Sequence, residues 1–281
     1  MKIGGHISVS GGVLNAFERA ESIGANCFQI FASSPRMWAV PDINEIKAKQ
    51  FKQKLKSHRI IPSFIHLKYL INIASPNEEI ARKSVETVKA EMRICSKLGL
   101  AGGMFHIGTT KGGDKQEGLG QVASQVKKIL QQIPQDVLLL LENSASPKKI
   151  GSTLEEIAEL LEEINNPQVS TCLDTAHAFA AGYDLHSEEG VMHFIDSIEK
   201  TIGLNRVTLF HINDSKSPLG SGRDWHENIG KGKIGINGIR ALLTHPKLHN
   251  KPFITEVPGI HNNGPDKPNI ALLRKLAGET V

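Results

Sequence analysis

Cysteine is scarce in this chain of 281 residues: Cys27, Cys95 and Cys172 stand far apart, and no Cys-x-x-Cys occurs. An odd, scattered set excludes a disulfide framework and a thiolate zinc finger, and it suits a reducing compartment. Aromatic residues make up only 5% of the chain. Apolar runs are short; the one from Val137 to Leu141 falls far below the roughly 20 residues a membrane-spanning helix needs. The start, Met1-Lys2-Ile3-Gly4-Gly5-His6, carries no apolar leader segment. Nor is there a large excess of one charge: 33 Lys and Arg against 29 Asp and Glu leave +4, with no dense basic block. That balance permits a polyanionic partner without requiring one. A cytoplasmic protein with no membrane contact is expected.

What is present is an alternation of two textures. Short apolar, β-branched segments predict strands near Lys2–His6, Cys27–Phe31, Ile61–His66, Gly103–His106, Val137–Glu142, Val169–Asp174, Arg206–Ile212 and Pro252–Glu256. Amphipathic segments predict helices near Gly12–Ile23, Ile43–His58, Asn77–Leu98, Gln116–Gln132, Leu154–Ile164, Glu188–Ile202, Ile236–Leu243 and Pro268–Leu276. Ser152-Thr153 with acids behind it marks a helix start, and Gly24 and Gly99 sit where helices should stop. Strand-helix alternation repeated eight times over this length predicts an α/β fold, a single-domain (β/α)8 TIM barrel over 1–281; a doubly wound open sheet is the alternative. In a barrel, the long polar loops Thr109–Gly120 and Asn213–Gly235 fall on the catalytic face.

Twelve histidines are the composition's one unusual count, and their placement carries the functional reading. Six consecutive strands end in a group able to bind a metal: His66, His106, Glu142, Asp174, His211 and Glu256. A parallel barrel brings all six to one rim, where a carboxylate is costly to desolvate unless positive charge meets it. Imidazole with carboxylate suits a divalent metal, zinc first. Three loop residues join them: His177, and Asp224 with His226, which flank Trp225 and face the same way in an extended segment. His6 ends the first strand and is expected to support a ligand rather than be one. Cys27 and Cys172 read as core residues.

These motifs resemble the endonuclease IV family, the zinc-dependent apurinic/apyrimidinic endonucleases of base excision repair. The likeness lies in Cys172 to Asp184, in His211-Ile212-Asn213-Asp214-Ser215-Lys216, in Asp224-Trp225-His226 with Gly230 to Gly235, and in Tyr69-Leu70-Ile71-Asn72. The resemblance implies three zinc ions. His66, His106 and Glu142 would hold the first; Glu142 would bridge to a second held by Asp174, His211 and Glu256; His177, Asp224 and His226 would hold the third. It further implies cleavage of duplex DNA on the 5′ side of an abasic site, leaving a 3′-hydroxyl and a 5′-deoxyribose phosphate, with clearance of blocked 3′ ends. Glu142 and Glu256 would be catalytic, and Arg36, Tyr69 and Leu70 would enter the duplex. Lys216, Arg223, Lys231 and Lys233 could meet phosphates. A monomer with no obligate protein partner is the family expectation. Trp225 and the basic loop Ser144–Lys149 depart from the expected pattern. The competing reading is a single-metal sugar isomerase or epimerase like xylose isomerase, built on Glu142, Asp174, His211 and Glu256. A third is a non-catalytic binder of damaged DNA with structural zinc.

Overall fold

The computed structural model describes residues 1–279; residues 280 and 281 of the expected span lie outside the described residues. Seven strands, β1 (Lys2–His6), β2 (Phe28–Phe31), β3 (Ser63–His66), β4 (Gly102–His106), β5 (Leu138–Glu142), β6 (Val169–Asp174) and β7 (Val207–His211), precede a short ribbon of β8 (Asp214–Ser215) and β9 (His226–Glu227). The last strand is β10 (Pro252–Thr255). All but the ribbon strands pair in parallel and in chain order, and β10 returns to β1 to close the barrel. Leucine-rich β5 shows why: strands buried on both faces need no alternation of polar residues.

Helices α1 (Asn15–Ser22), α2 (Glu45–Ser57), α3 (Glu78–Leu98), α4 (Lys115–Leu130) and α5 (Leu154–Ile164) each follow one strand. Both α6 (Thr175–Ala181) and α7 (Glu188–Thr201) follow β6; α8 (Gly235–Thr244) follows the ribbon and α9 (Lys267–Leu276) follows β10. The sequence punctuation holds. Thr153 caps α5 by accepting from the Glu156 amide, and Gly99 ends α3 in the left-handed conformation. One stripe of each helix packs on the barrel; α5 buries Leu154, Ile157, Leu160, Leu161 and Ile164 there. Among the described residues, no helix is long and apolar enough to cross a membrane.

Inside the barrel a smaller cluster forms a plug: Cys27, Phe64, Met104, Leu140, Cys172, Leu209 and Ile254. On β1 only Gly4 fits at this level, because a Cβ there would stand 1.8 Å from the Cys27 carbonyl oxygen. Strand side chains repeat every second residue. One step above the plug, the same interior face therefore presents His6, Gln29, His66, His106, Glu142, Asp174, His211 and Glu256. The register agrees, setting His106 beside Glu142 and Asp174 beside His211.

The structure departs from expectation in several places. β3 starts at Ser63 rather than Ile61, and Glu256 lies one residue beyond β10. The segment after β6 is helical, because the Asp174 carboxylate accepts from the His177 amide at 2.9 Å and so caps α6. The loop Asn213–Gly235 contains the β8–β9 ribbon.

Candidate metal centre

The nine residues singled out from the sequence gather in one continuous cluster at the open end of the barrel. Six come from the polar layer above the plug. His177 stands in the first turn of α6, not in a loop as expected; His226 lies in β9, and Asp224 lies two residues before it. Glu142 is central and fully buried. Its Oε2 is 3.3 Å from His66 Nε2 and 3.4 Å from His106 Nε2, while its Oε1 is 3.0 Å from His211 Nδ1. His211 Nδ1 is also 3.4 Å from Glu256 Oε2 and 3.7 Å from Asp174 Oδ2. On the outer side, Asp224 is 3.1 Å from His177 Nε2 and 3.3 Å from His226 Nε2. His226 Nε2 reaches back to Asp174 Oδ2 at 3.6 Å, which joins the outer group to the inner ones.

Neighbouring groups fix which ring nitrogen faces inward. A carbonyl oxygen can only accept, so a ring nitrogen beside it carries the proton. His66 Nδ1 donates to the Leu67 carbonyl at 2.7 Å and His177 Nδ1 donates to the Asn143 carbonyl at 2.9 Å. Both rings are left with Nε2 aimed into the cluster. His211 is set the other way: Nε2 donates to Gln29 Oε1 at 2.6 Å, and Nδ1 faces the carboxylates. Gln29 Nε2 donates to Glu256 Oε1 at 2.5 Å. Asn213 donates to Asp174 Oδ2 at 2.6 Å and accepts from the Glu256 amide at 2.7 Å. Such outer partners orient metal ligands. Sequence reasoning missed Gln29, Asn143 and Asn213 in this role. The available signal for the two asparagines was an amide one or two residues after a strand-end ligand. Gln29 had none beyond an amide inside an apolar strand.

The electrostatics call for added positive charge. Burial would raise the Glu142 carboxyl, yet His106 and His211 hold it well below the usual carboxylate range. Against burial, Asp174 and Asp224 carry the His177 imidazole up to about 10 and the His226 imidazole up to about 9. The carboxylates thus favour positive charge on the groups beside them. Glu142 Oε2, His177 Nε2 and His226 Nε2 are buried without a hydrogen-bond partner, although oppositely charged atoms stand nearby. Lone pairs that converge on shared space in this way fit divalent ions with N and O ligands. Donor atoms of His66, His106 and Glu142, of Glu142, Asp174, His211 and Glu256, and of Asp174, His177 and His226 lie within 4.8 Å of one another in each group. Cys172 is close to Glu142 and His211, but burial pushes its thiol up to about 12, so it belongs to the plug.

The cluster opens into a cleft of about 780 Å³ bordered by Tyr69, Lys149, Lys216 and Trp225. Tyr69 is exposed and Leu70 half-buried after β3; Arg36 is exposed after β2. A buried clip ties these two loops together. Lys68 Nζ donates to the carbonyls of Ser34 at 2.9 Å and Ala39 at 3.0 Å, and to Ser33 Oγ. Glu91 on α3 accepts from the Lys68 amide at 3.1 Å and from Ser33 Oγ at 3.3 Å. Lys216, Arg223, Lys231 and Lys233 are exposed in or beside the ribbon. The ribbon's base is held by Asp214, whose Oδ1 accepts from the amides of Ser215, Ile234 and Gly235 and whose Oδ2 accepts from those of Gly230 and Gly232.

Known proteins resemble this arrangement along the whole chain. Residues 17–276 match the family described as xylose isomerase-like TIM barrel. A probable endonuclease 4 of Aquifex aeolicus is 38% identical over 275 residues, covering 97% of this chain and 96% of that protein. One from Methanoculleus marisnigri is 39% identical over 279 residues, covering 98% and 99%. The crystal structure of endonuclease IV from Thermus thermophilus superposes with a TM-score of 0.88 at 31% identity, covering 100% of both chains. A 3-keto-D-glucoside 4-epimerase from E. coli reaches a TM-score of 0.69 at 13% identity, a likeness of fold alone. The chain belongs to the endonuclease IV family of nucleases, within the xylose isomerase-like TIM barrels.

Proposed function

We propose that this chain hydrolyses the phosphodiester on the 5′ side of an abasic nucleotide in duplex DNA, leaving a 3′-hydroxyl and a 5′-deoxyribose phosphate, and that it also clears blocked 3′ ends. The observation that carries the reading is the convergence of nine N and O donors at the mouth of one barrel, eight of them in three overlapping groups and Asp224 beside His177 and His226. Three zinc ions are the proposed occupants. His66, His106 and Glu142 hold the first; Glu142, Asp174, His211 and Glu256 the second; His177, Asp224 and His226 the third. When bound, such ions supply positive charge that acidifies water and stabilises the charge developing on phosphate.

The protein's own part is positional. Glu142 turns one oxygen toward His66 and His106 and the other toward His211, so it would be shared by the first two ions and would orient the attacking water. Glu256, restrained by Gln29 and backed by His6 Nδ1 at 3.2 Å, offers a second oriented carboxylate at the cleft. An abasic nucleotide stacks weakly and is cheap to turn out of the helix. Arg36, Tyr69 and Leu70, on the two clipped loops, are the groups proposed to fill the gap it leaves.

A single-metal isomerase needs only Glu142, Asp174, His211 and Glu256. It leaves His66, His106, His177, Asp224 and His226 without a task, although they occupy the same cluster. The test is to incubate metal-analysed protein with a duplex carrying one abasic site. About three zinc ions per chain, a 3′-hydroxyl product, no response to magnesium and loss of cleavage on zinc chelation are expected. About one ion per chain with no cleavage would favour the isomerase reading.

A further inference from the structure

Trp225 stands between Asp224 and His226 and has no part in the donor cluster. Its two neighbours turn inward, so the indole turns outward and is 54% exposed. Its main chain is tied into the ribbon. The Lys216 amide donates to the Trp225 carbonyl at 2.9 Å, and His226 pairs with Ser215 in the ribbon. Lys216 Nζ lies 4.4 Å from the centre of the indole, capping one face. The ring borders the same cleft as several of the donors and exposed Tyr69. A large exposed aromatic surface, covered on one face by Lys216 in a cleft that also carries Lys149, suits something flat carried on a polyanion.

We propose that Trp225 is a stacking platform for a nucleobase next to the scissile phosphate, with Lys216 covering the face turned away from that base. This rests on the reading that the cleft takes abasic duplex DNA. Stacking on a base that does not react is the same in the ground and transition states, so it lowers KM and leaves kcat alone. Trp225 is thereby a determinant of which DNA contexts are processed well. Its rigid attachment to the metal-facing ribbon would set the distance between the stacked base and the phosphate that is cut.

The experiment compares the zinc-loaded wild type with Trp225→Ala and Trp225→Phe on duplexes containing one abasic site. In one duplex series the adjoining bases are natural; in the other each in turn is replaced by a cyclohexyl ring, which has similar size and no π face. Trp225→Ala is expected to raise KM on the natural duplex by about 5- to 150-fold, the range for one base–aromatic stack, with kcat within about threefold. Trp225→Phe should recover most of the loss. On the duplex lacking the stacked base, wild type and Trp225→Ala should differ by less than about threefold in KM, since the partner is already gone. An equal penalty on every duplex, a fall in kcat with loss of zinc, or no penalty at all overturns the proposal. A wild type that cleaves no abasic duplex overturns the underlying DNA reading instead.

Discussion

Asn143 and Asp174 grip each other twice: Asn143 Nδ2 donates to the Asp174 carbonyl at 3.1 Å, and the Asp174 amide donates to Asn143 Oδ1 at 2.6 Å. This side-chain bridge joins the ends of β5 and β6 where their ladder stops, and so sets Glu142 against Asp174. The Asn143 main-chain carbonyl also accepts from His177 Nδ1, so three of the nine donors meet at one residue, two of them through its side-chain amide. Asn143→Leu should weaken zinc binding by about 10- to 100-fold, the usual effect of losing an outer partner. Competition titration with a chromophoric chelator measures this. Zinc affinity unchanged in the variant would remove Asn143 from the positioning role.

Glu142→Gln and Glu256→Gln keep shape and remove charge. Duplex binding should survive in both, while turnover of an abasic duplex drops by orders of magnitude. Binding and single-turnover cleavage measured on the same zinc-analysed samples separate the two effects. Near-normal turnover with full zinc would contradict the assigned roles.

Lys68 and Glu91 form an internal pair, and removing one partner strands the other. Lys68→Met should lower stability in chemical denaturation, and the loss should grow as pH rises and Glu91 ionises without a partner. In whatever fraction stays folded, KM for abasic DNA should rise more than kcat falls, because the loop bearing Arg36 loses its anchor.

Burial raises the Glu91 carboxyl to about 7, with Lys68 opposing in part. A raised folded-state value means that the fold takes up a proton. This contribution to stability is full below about 4.5 and is lost as pH climbs through about 7. Relative to Glu91→Gln, the wild type should therefore lose stability between those two pH values. Parallel stability curves for the two proteins would contradict the assignment.

Asp214 satisfies five backbone amides and, among the described residues, meets no cation in its hydrogen bonds. Asp214→Asn replaces an acceptor with a donor that faces other donors. Each unsatisfied buried amide costs about 1–3 kcal/mol. Hydrogen exchange should accelerate across residues 228–235, and the salt dependence of DNA binding should flatten as Lys231 and Lys233 lose their fixed positions.

The barrel and the inner donors were readable from the chain because an apolar run followed by one imidazole or carboxylate is a local pattern, repeated six times. Caps at Thr153 and Gly99 were readable for the same reason. The helical setting of His177 was not. Asp174 ends a strand and caps α6 at once, and seven residues of Ala-rich helix carry too little periodicity to be recognised. Ribbon strands of two residues each leave no pattern. Gln29 looks like any strand residue until the closed barrel brings it to Glu256, 227 positions away. The Lys68–Glu91 pair is hidden likewise, since charge pairing across a fold leaves no trace in local spacing.

The plug and the polar layer sit two residues apart on every barrel strand, and this makes the strands brittle to changes in length. Inserting or deleting one residue in β3 to β7 would turn an imidazole or carboxylate outward against the helices and swing an oily side chain into the mouth. Strand length is therefore frozen, whereas the connections above the mouth are free to lengthen and diversify. New lesion preferences in this lineage would be written into segments such as Ser144–Lys149 and the turn bearing Trp225, over an unchanging floor.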